Sequence, residues 1–298
     1  MTSGEITNAE ILVLLTYAMA LPLRGGLLSV SPAAFAGLGA YAFAVGTTHF
    51  GMAPSEAILL AVGLSLLGSA VLALPLSRIR GIYTSVATLA LVVVFTSLES
   101  SLKLTGQTLG IYGIPFADMR ILLMVAIIIV AGTFLWLDCS SLGRKVDLVA
   151  GDTVLAEISG MSVARTRMAL LVTSSVVASF AGAIQAHSFF VVTPSQYSFF
   201  FGIQLTAYAV FGGTSFFVGP LIGGVFFSVL TVVLRGLPVL SELITGLIMA
   251  AVMVMYPEGI SGLLRKSLRL RIGTVGLAPR RRPLGEGQYR TSMSENKT

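Results

Sequence analysis

The chain alternates long apolar runs with short polar connections, and one polar interruption is much longer than the rest. Residues 168–234 contain no Asp, Glu, Lys or Arg, a stretch of 67 residues in a chain of 298. A hydrocarbon core about 30 Å thick takes about 20 apolar residues per helix, so this run alone has room for three spans, with Gly and Pro marking the turns. Read the same way, the whole pattern predicts spans over 11–23, within 25–55, and over 57–76, 81–104, 121–137, 168–190, 199–211, 216–234 and 239–256. The first is short and reaches across only if Ile6 to Asn8 enter the interface. Pro32 marks the first turn of the second helix or a break in it, residues 104–118 form a turn-rich loop, and Pro257 stops the ninth span. The expected fold class is all-α: a polytopic membrane protein of about nine transmembrane helices, between eight and ten.

The long interruption covers 138–167 and reads DCSSLGRKVDLVAGDTVLAEISGMSVARTR. Asp152 is a good N-cap and Gly160 sits where helices commonly end. Thr153 to Ser159 between them make about two turns. Val154, Leu155 and Ile158 fall on one side of that helix, with Asp152 and Glu157 elsewhere. So short a helix is unstable alone. An apolar groove on a partner would stabilise it, as would the bilayer surface if the segment is an amphipathic connector.

Composition supports the membrane assignment: 55% of residues are hydrophobic, 11% are charged, and mean hydropathy is +0.91. The net charge of +6 does not indicate nucleic acid, because most basic residues lie in short connections and in the tail beyond residue 264. If 138–167 is cytoplasmic and nine spans alternate, 16 of the 19 Lys and Arg residues fall inside, and Lys103, Arg120 and Arg235 fall outside. That bias places both the interruption and the C-terminus in the cytoplasm. The chain then divides into a transmembrane domain, 1–264, and a basic tail, 265–298, whose composition reads as disordered. The acidic N-terminus lacks the positive region of a cleaved signal peptide and reads as retained.

Candidate chemistry is sparse. Cys139 is the only cysteine and the two histidines, His49 and His187, are far apart, so neither disulfides nor a metal site are expected. No phosphate loop of the Gly-x-x-x-x-Gly-Lys-Ser/Thr form occurs, so the chain cannot hydrolyse ATP by that means. Polar groups within spans are Thr84, Ser85 and Thr88, then Thr173, Ser174 and Gln185, then Gln204 and Tyr208. They read as interhelical hydrogen-bond partners or as the lining of a solute path. Glu99 and Lys103, four apart, read as an ion pair on a solvated helix end. A weak internal echo links GGLLSVSPAAFAG (25–37) with GGTSFFVGPLIGG (212–224), as in transporters built from duplicated halves.

Four collinear stretches carry a family resemblance: GLLSVSPAAFAGLGAYAFA, RIRGIYTSVATLAL, GRKVDLVAGDTVLAEISGMSVARTRM and FAGAIQAHSFFVVTPSQYSFFFGIQLTAYAVFGGTSFFVGPLIGG. Together they resemble the permease subunits of branched-chain amino acid ABC importers, most closely the LivM-type subunit, over about 26–262. The resemblance implies a LivH-like second permease subunit, two cytoplasmic ATPase subunits that hold ATP and Mg, an extracytoplasmic solute-binding protein, and a bacterial inner-membrane location among lipids. It makes the short helix a coupling helix seated in an ATPase groove. Gly143, Arg144, Asp152, Ala156, Glu157 and Gly160 hold the family pattern there. The family's charged run is replaced by Gly151, Asp152, Thr153 and Val154, and its early Ser-Leu-Gly-His motif by Ser29, Val30, Ser31 and Pro32.

The expected function is therefore a non-catalytic permease subunit, moving branched-chain or related small neutral amino acids by alternating access driven in trans. Urea, short amides or a sugar are alternative solutes. An ion-coupled secondary transporter would need a mid-membrane carboxylate, and Glu99 and Glu242 read as lying near span ends. A membrane enzyme would need clustered His or carboxylates at one face, and the sequence offers none.

Overall fold

A computed structural model describes residues 3–79, 81–114, 120–214, 217–234, 243–248 and 251. Up to residue 234 the described residues form ten α-helices: α1 (Ser3–Arg24), α2 (Ser31–Thr48), α3 (Pro54–Leu76), α4 (Ile82–Ser101), α5 (Arg120–Cys139), α6 (Ser141–Gly151), α7 (Thr153–Ile158), α8 (Val163–Phe189), α9 (Phe199–Gly212) and α10 (Val218–Val233). The fold is mostly helical, with one exception to the all-α expectation. Strands β1 (Ile111–Tyr112) and β2 (Val191–Val192) pair antiparallel, Ile111 opposite Val192 and Tyr112 opposite Val191. Of the ninth expected span, only 243–248 and 251 lie within the described residues, and they are helical; the tail 265–298 lies outside them.

Among the described residues, five helices are long and apolar enough to cross a membrane: Gly4–Arg24, Pro54–Leu76, Ile82–Ser101, Ile121–Cys139 and Val163–Phe189. The helices α9 and α10 are apolar but shorter, at 14 and 16 residues, which is about 21 and 24 Å of rise. The remaining expected span is α2. Its Gly, Ser and Thr content makes it less apolar than the others, and it is the helix most enclosed by protein, buried along almost its whole length against α3, α4, α8 and α9. A helix surrounded by helices has no need of a lipid-grade surface. Pro32 stands in the first turn of α2, where its missing N–H leaves no bond unmade.

The outer helices are built inside out relative to a soluble bundle. On α3 a stripe of small residues spaced by four, Ala57, Ala61, Ser65, Ser69 and Ala73, turns inward, with Ile58 and Leu76 also buried near its ends, while Leu59, Leu67 and Val71 are exposed. In lipid, apolar burial drives no helix association, so contact comes from close backbone approach and hydrogen bonds. Both are present between α3 and α8: Ser65 Oγ donates to Ser175 O and Ser179 Oγ to Ala61 O, each at 3.0 Å.

At the centre α2 and α8 touch backbone to backbone. A Cβ at Gly39 would overlap the Ser179 backbone, and one at Gly182 would overlap the Ala36 carbonyl. The two echoing Gly-Gly segments lie at the same end of the bundle, one leading into α2 and the other into α10.

Candidate functional site

The interruption 138–167 is more structured than one short helix in a loop. The end of α5 extends to Cys139, α6 follows at once, α7 comes after a single cap residue, and α8 begins at Val163, five residues ahead of the expected span. Ser140 caps α6, its Oγ accepting from Gly143 N at 3.1 Å. The turn into α6 is so tight that a Cβ at Gly143 would overlap the Leu137 carbonyl. Arg144, on the next residue, is exposed.

The cap of α7 is Asp152, whose Oδ1 accepts from Val154 N at 2.9 Å and Leu155 N at 3.0 Å. The helix ends at Ser159, and Gly160 follows with φ +78°, a conformation that favours glycine. Ala156 is fully buried, and Val149 and Val163 belong to the same small cluster. This contact holds α7 by one side against α6 and the start of α8. The other side is open: Val154 is 59% exposed, Leu155 49% and Ile158 78%. Three large apolar side chains thus stand unburied on a capped helix, with the Glu157 side chain also exposed.

A buried ionic node ties this region to the bundle. Arg24, the last residue of α1, places Nη1 2.6 Å from Asp138 Oδ1, as a close charge contact rather than an aligned hydrogen bond. Its Nε donates to Asp147 Oδ1 on α6 at 3.4 Å. The other Asp138 oxygen, Oδ2, accepts from Phe217 N at 3.0 Å, and Tyr17 Oη donates to Phe217 O at 2.7 Å. One guanidinium therefore joins α1, α5, α6 and the entry to α10. None of these residues stood out in the sequence, because their partners are 79 to 200 positions away.

The candidate path residues occupy separate places. Thr84, Ser85 and Thr88 are buried, and the last two fasten the chain entering α2: Ser85 Oγ donates to Leu28 O at 2.8 Å, and Thr88 Oγ1 accepts from Val30 N at 3.1 Å. Thr84 Oγ1 donates to Ile79 O at 3.2 Å. Ser174 is buried and bonds back to Leu171 O at 2.9 Å, while Thr173 on the same helix is exposed. Gln185 Oε1 accepts from Tyr197 Oη at 3.1 Å. Gln204 Nε2 donates to Tyr208 Oη at 2.6 Å, and the Tyr208 ring stacks on Phe227 at 4.0 Å between centroids. None of these groups lines the described cleft on α4. That cleft, of about 410 Å³, is lined by Thr96, Ser97, Ser100, Ser101 and Ser198 with Val93 and Phe199.

Glu99 differs from its expected role. The helix α4 stops at Ser101, so Lys103 falls outside it and is exposed, while Glu99 is buried at 6% exposure. Among the described residues no group of three or more His, Cys, Asp or Glu side chains is placed to hold a metal.

Lipid-grade outer faces, an interior stitched by small residues and hydroxyls, and a capped helix projecting at one end describe a multi-pass membrane permease. Sequence comparison makes the family specific. The family described as "Branched-chain amino acid transport system / permease component" matches residues 1–255, and the chain belongs to it. The chain is 24% identical over 283 residues to the high-affinity branched-chain amino acid transport system permease protein LivM of Salmonella typhimurium, an alignment covering 83% of this chain and 67% of that protein. It is 23% identical over 285 residues to the protein of the same name from Escherichia coli, covering 84% and 67%. No solved structure matches.

Proposed function

We propose that the protein is the LivM-like permease subunit of an ABC importer for branched-chain or closely related neutral amino acids. In this reading it spans the bacterial inner membrane about nine times, pairs with a LivH-like permease subunit, and receives solute from an extracytoplasmic binding protein. Two cytoplasmic ATPase subunits hold ATP and Mg, and the chain itself catalyses nothing. The domain is 1–264, with 138–167 as the cytoplasmic coupling region and 265–298 as a cytoplasmic tail.

The observation that carries the reading is the exposed apolar edge of α7. Val154, Leu155 and Ile158 are the exposed side chains of a capped helix, standing uncovered among the described residues. The helix-in-groove mode of recognition uses such an edge. Closure of the ATPases on ATP would push α7, with Gly143, Arg144, Asp152, Ala156, Glu157 and Gly160 fixing its shape and surroundings. The push would pass through α6 and the Arg24 node to α1 and α5, and directly into α8, tilting the spans so that the cavity opens to the other side. Of the candidate path residues, Ser85, Thr88 and Gln185 act as fasteners between elements, while Thr84, Ser174, Gln204 and Tyr208 bond locally and Thr173 stays exposed.

The test is to express the chain with its partner permease, ATPases and binding protein and change Val154, Leu155 and Ile158 together to Asp. The ATPases should no longer co-purify and ATP-driven leucine uptake should disappear. Retained assembly and transport would sink the docking role. A second reading, ion-coupled secondary transport, draws on one observation, the buried carboxyl of Glu99. Leucine uptake that needs an ion gradient and ignores ATP would favour it.

A further inference from the structure

A groove of about 280 Å³ opens on the side of the bundle between three helices. Val62 of α3, Leu122, Val125 and Ile129 of α5, and Val177 and Phe180 of α8 form most of its wall. Among the described residues, every side chain that lines it is Val, Leu, Ile, Ala or Phe, and no hydroxyl, amide or charge enters it. The groove exists because α5 is held unevenly. That helix packs against α1 and runs into α6, while its approach to α3 and α8 is loose. In contrast, α3 and α8 are tightly joined to each other through Ser65 and Ser179. Leu122, Val125 and Ile129 consequently stay exposed on the side of α5 that faces the gap.

The depth of the groove matches one half of a bilayer. Leu122 is the third residue of α5 and Val130, also in the wall, lies eight residues on, so the groove follows that helix for about 12 Å. On α3 it reaches Val62, about 12 Å of rise from Pro54, and on α8 it reaches Phe180, about 14 Å from Phe189. Half of a hydrocarbon core about 30 Å thick is about 15 Å. The groove therefore runs through one leaflet, the one remote from α7, from its edge to near the midplane.

The chemistry of the walls decides what fills it. A zwitterionic amino acid would have both charges unpaired there, at high cost. A helix, of this chain or of a partner, meets its neighbour in lipid through small residues and hydroxyls, as α3 meets α8. This groove instead offers branched and aromatic side chains, with Ala126 the one small residue in its wall. A flexible methylene chain can follow such relief, and apolar hollows that water leaves empty take up apolar ligands.

We infer that the groove between α3, α5 and α8 is a binding site for one acyl chain of a bilayer phospholipid, seated between the helices rather than against their outer faces. The acyl chain stands where a packed neighbour would support α5, the helix that leads into α6. This holds whatever solute the permease carries.

The test uses the complete transporter in nanodiscs of phosphatidylcholine, a small fraction of which carries a photoactivatable diazirine on its acyl chain. Irradiation, digestion and mass spectrometry locate the adducts. Residues 176–180 of α8 should be labelled through the groove, and Leu59, exposed on the outer face of α3, serves as the control for bulk lipid. Ala126→Phe fills the groove. In that variant labelling of 176–180 should fall about fivefold, because close packing leaves the acyl chain no room, while labelling of Leu59 stays unchanged. A parent transporter labelled at Leu59 but not at 176–180 overturns the inference and gives the groove to a protein helix. Equal labelling of 176–180 in parent and variant also overturns it, because bulk lipid then reaches α8 without the groove. If Ala126→Phe does not assemble with its partners, Val125→Ala, which widens the groove, decides: labelling of 176–180 should rise, and an unchanged or lower yield refutes the site.

Discussion

Replacing Arg24 by Met removes the cation from the node at the end of α1 while keeping much of the side-chain volume. Arg24 is buried and Asp138 nearly so, with 2.6 Å between their charged atoms. Removing one member of a buried pair costs about 3–5 kcal/mol, mostly because the other charge is left uncompensated. Asp138 keeps the Phe217 N–H at 3.0 Å, which puts the expected loss at the low end, about 3 kcal/mol. The contact with Asp147 adds little, because that carboxylate is half exposed and exposed pairs contribute about 0–1 kcal/mol. The loss should therefore be specific to Asp138. In an Arg24→Met background, Asp138→Asn should recover all but about 1 kcal/mol, whereas Asp147→Asn should recover almost nothing. The assay is reversible denaturant unfolding in mixed micelles, followed by the fluorescence of Trp136. It is the only tryptophan and lies two residues before Asp138. A loss below about 1 kcal/mol for Arg24→Met, or a double variant no better than the single, would refute the claim that this pair holds the node together.

Other outcomes follow from the same geometry. Asp152→Ala removes the acceptor for Val154 N and Leu155 N and should weaken α7 by about 1 kcal/mol, seen as roughly fivefold faster amide exchange over 153–158; unchanged exchange would show that the cap is dispensable. Gly182→Ala puts a methyl against the Ala36 carbonyl and should destabilise by about 1–3 kcal/mol, measured as a lower midpoint in the same unfolding assay. Docking through Val154, Leu155 and Ile158 should also be weakly salt-dependent, because apolar contact is not screened; a steep fall of ATPase affinity with ionic strength would instead point to Arg144 and Glu157.

The parts legible in the sequence were those set by local chemistry. Asp152 and Gly160 bracket α7 because a side-chain acceptor and a left-handed residue act within a few positions of themselves. The apolar runs became helices because lipid leaves the backbone no other way to bond. The α6 helix was missed because its Gly, Lys and Asp residues look like loop, and its stability comes from burying Val146 and Val149 against other elements. Glu99 was misread because a charge near the end of a span ordinarily reaches water; here the turns at 103–109 and 194–197 pack against α4, and Thr105 Oγ1 donates to Glu99 O. The Arg24 node was invisible since Asp138 and Asp147 come to it only through the tertiary fold.

The backbone contact between α2 and α8 has a bearing on how the protein can move. Helices separated by large side chains can slide or rotate by swapping rotamers, but Gly39 and Gly182 leave no side chain to rearrange, and the carbonyls of Ser179 and Ala36 fill the space. The pair has lost its internal degrees of freedom and behaves as one beam. Since α7 joins α8 through Ser159 to Ser162, the proposed push on α7 would reach the bundle's central axis, and bending would fall at its edges, where α4 and α5 meet their neighbours through fewer close contacts.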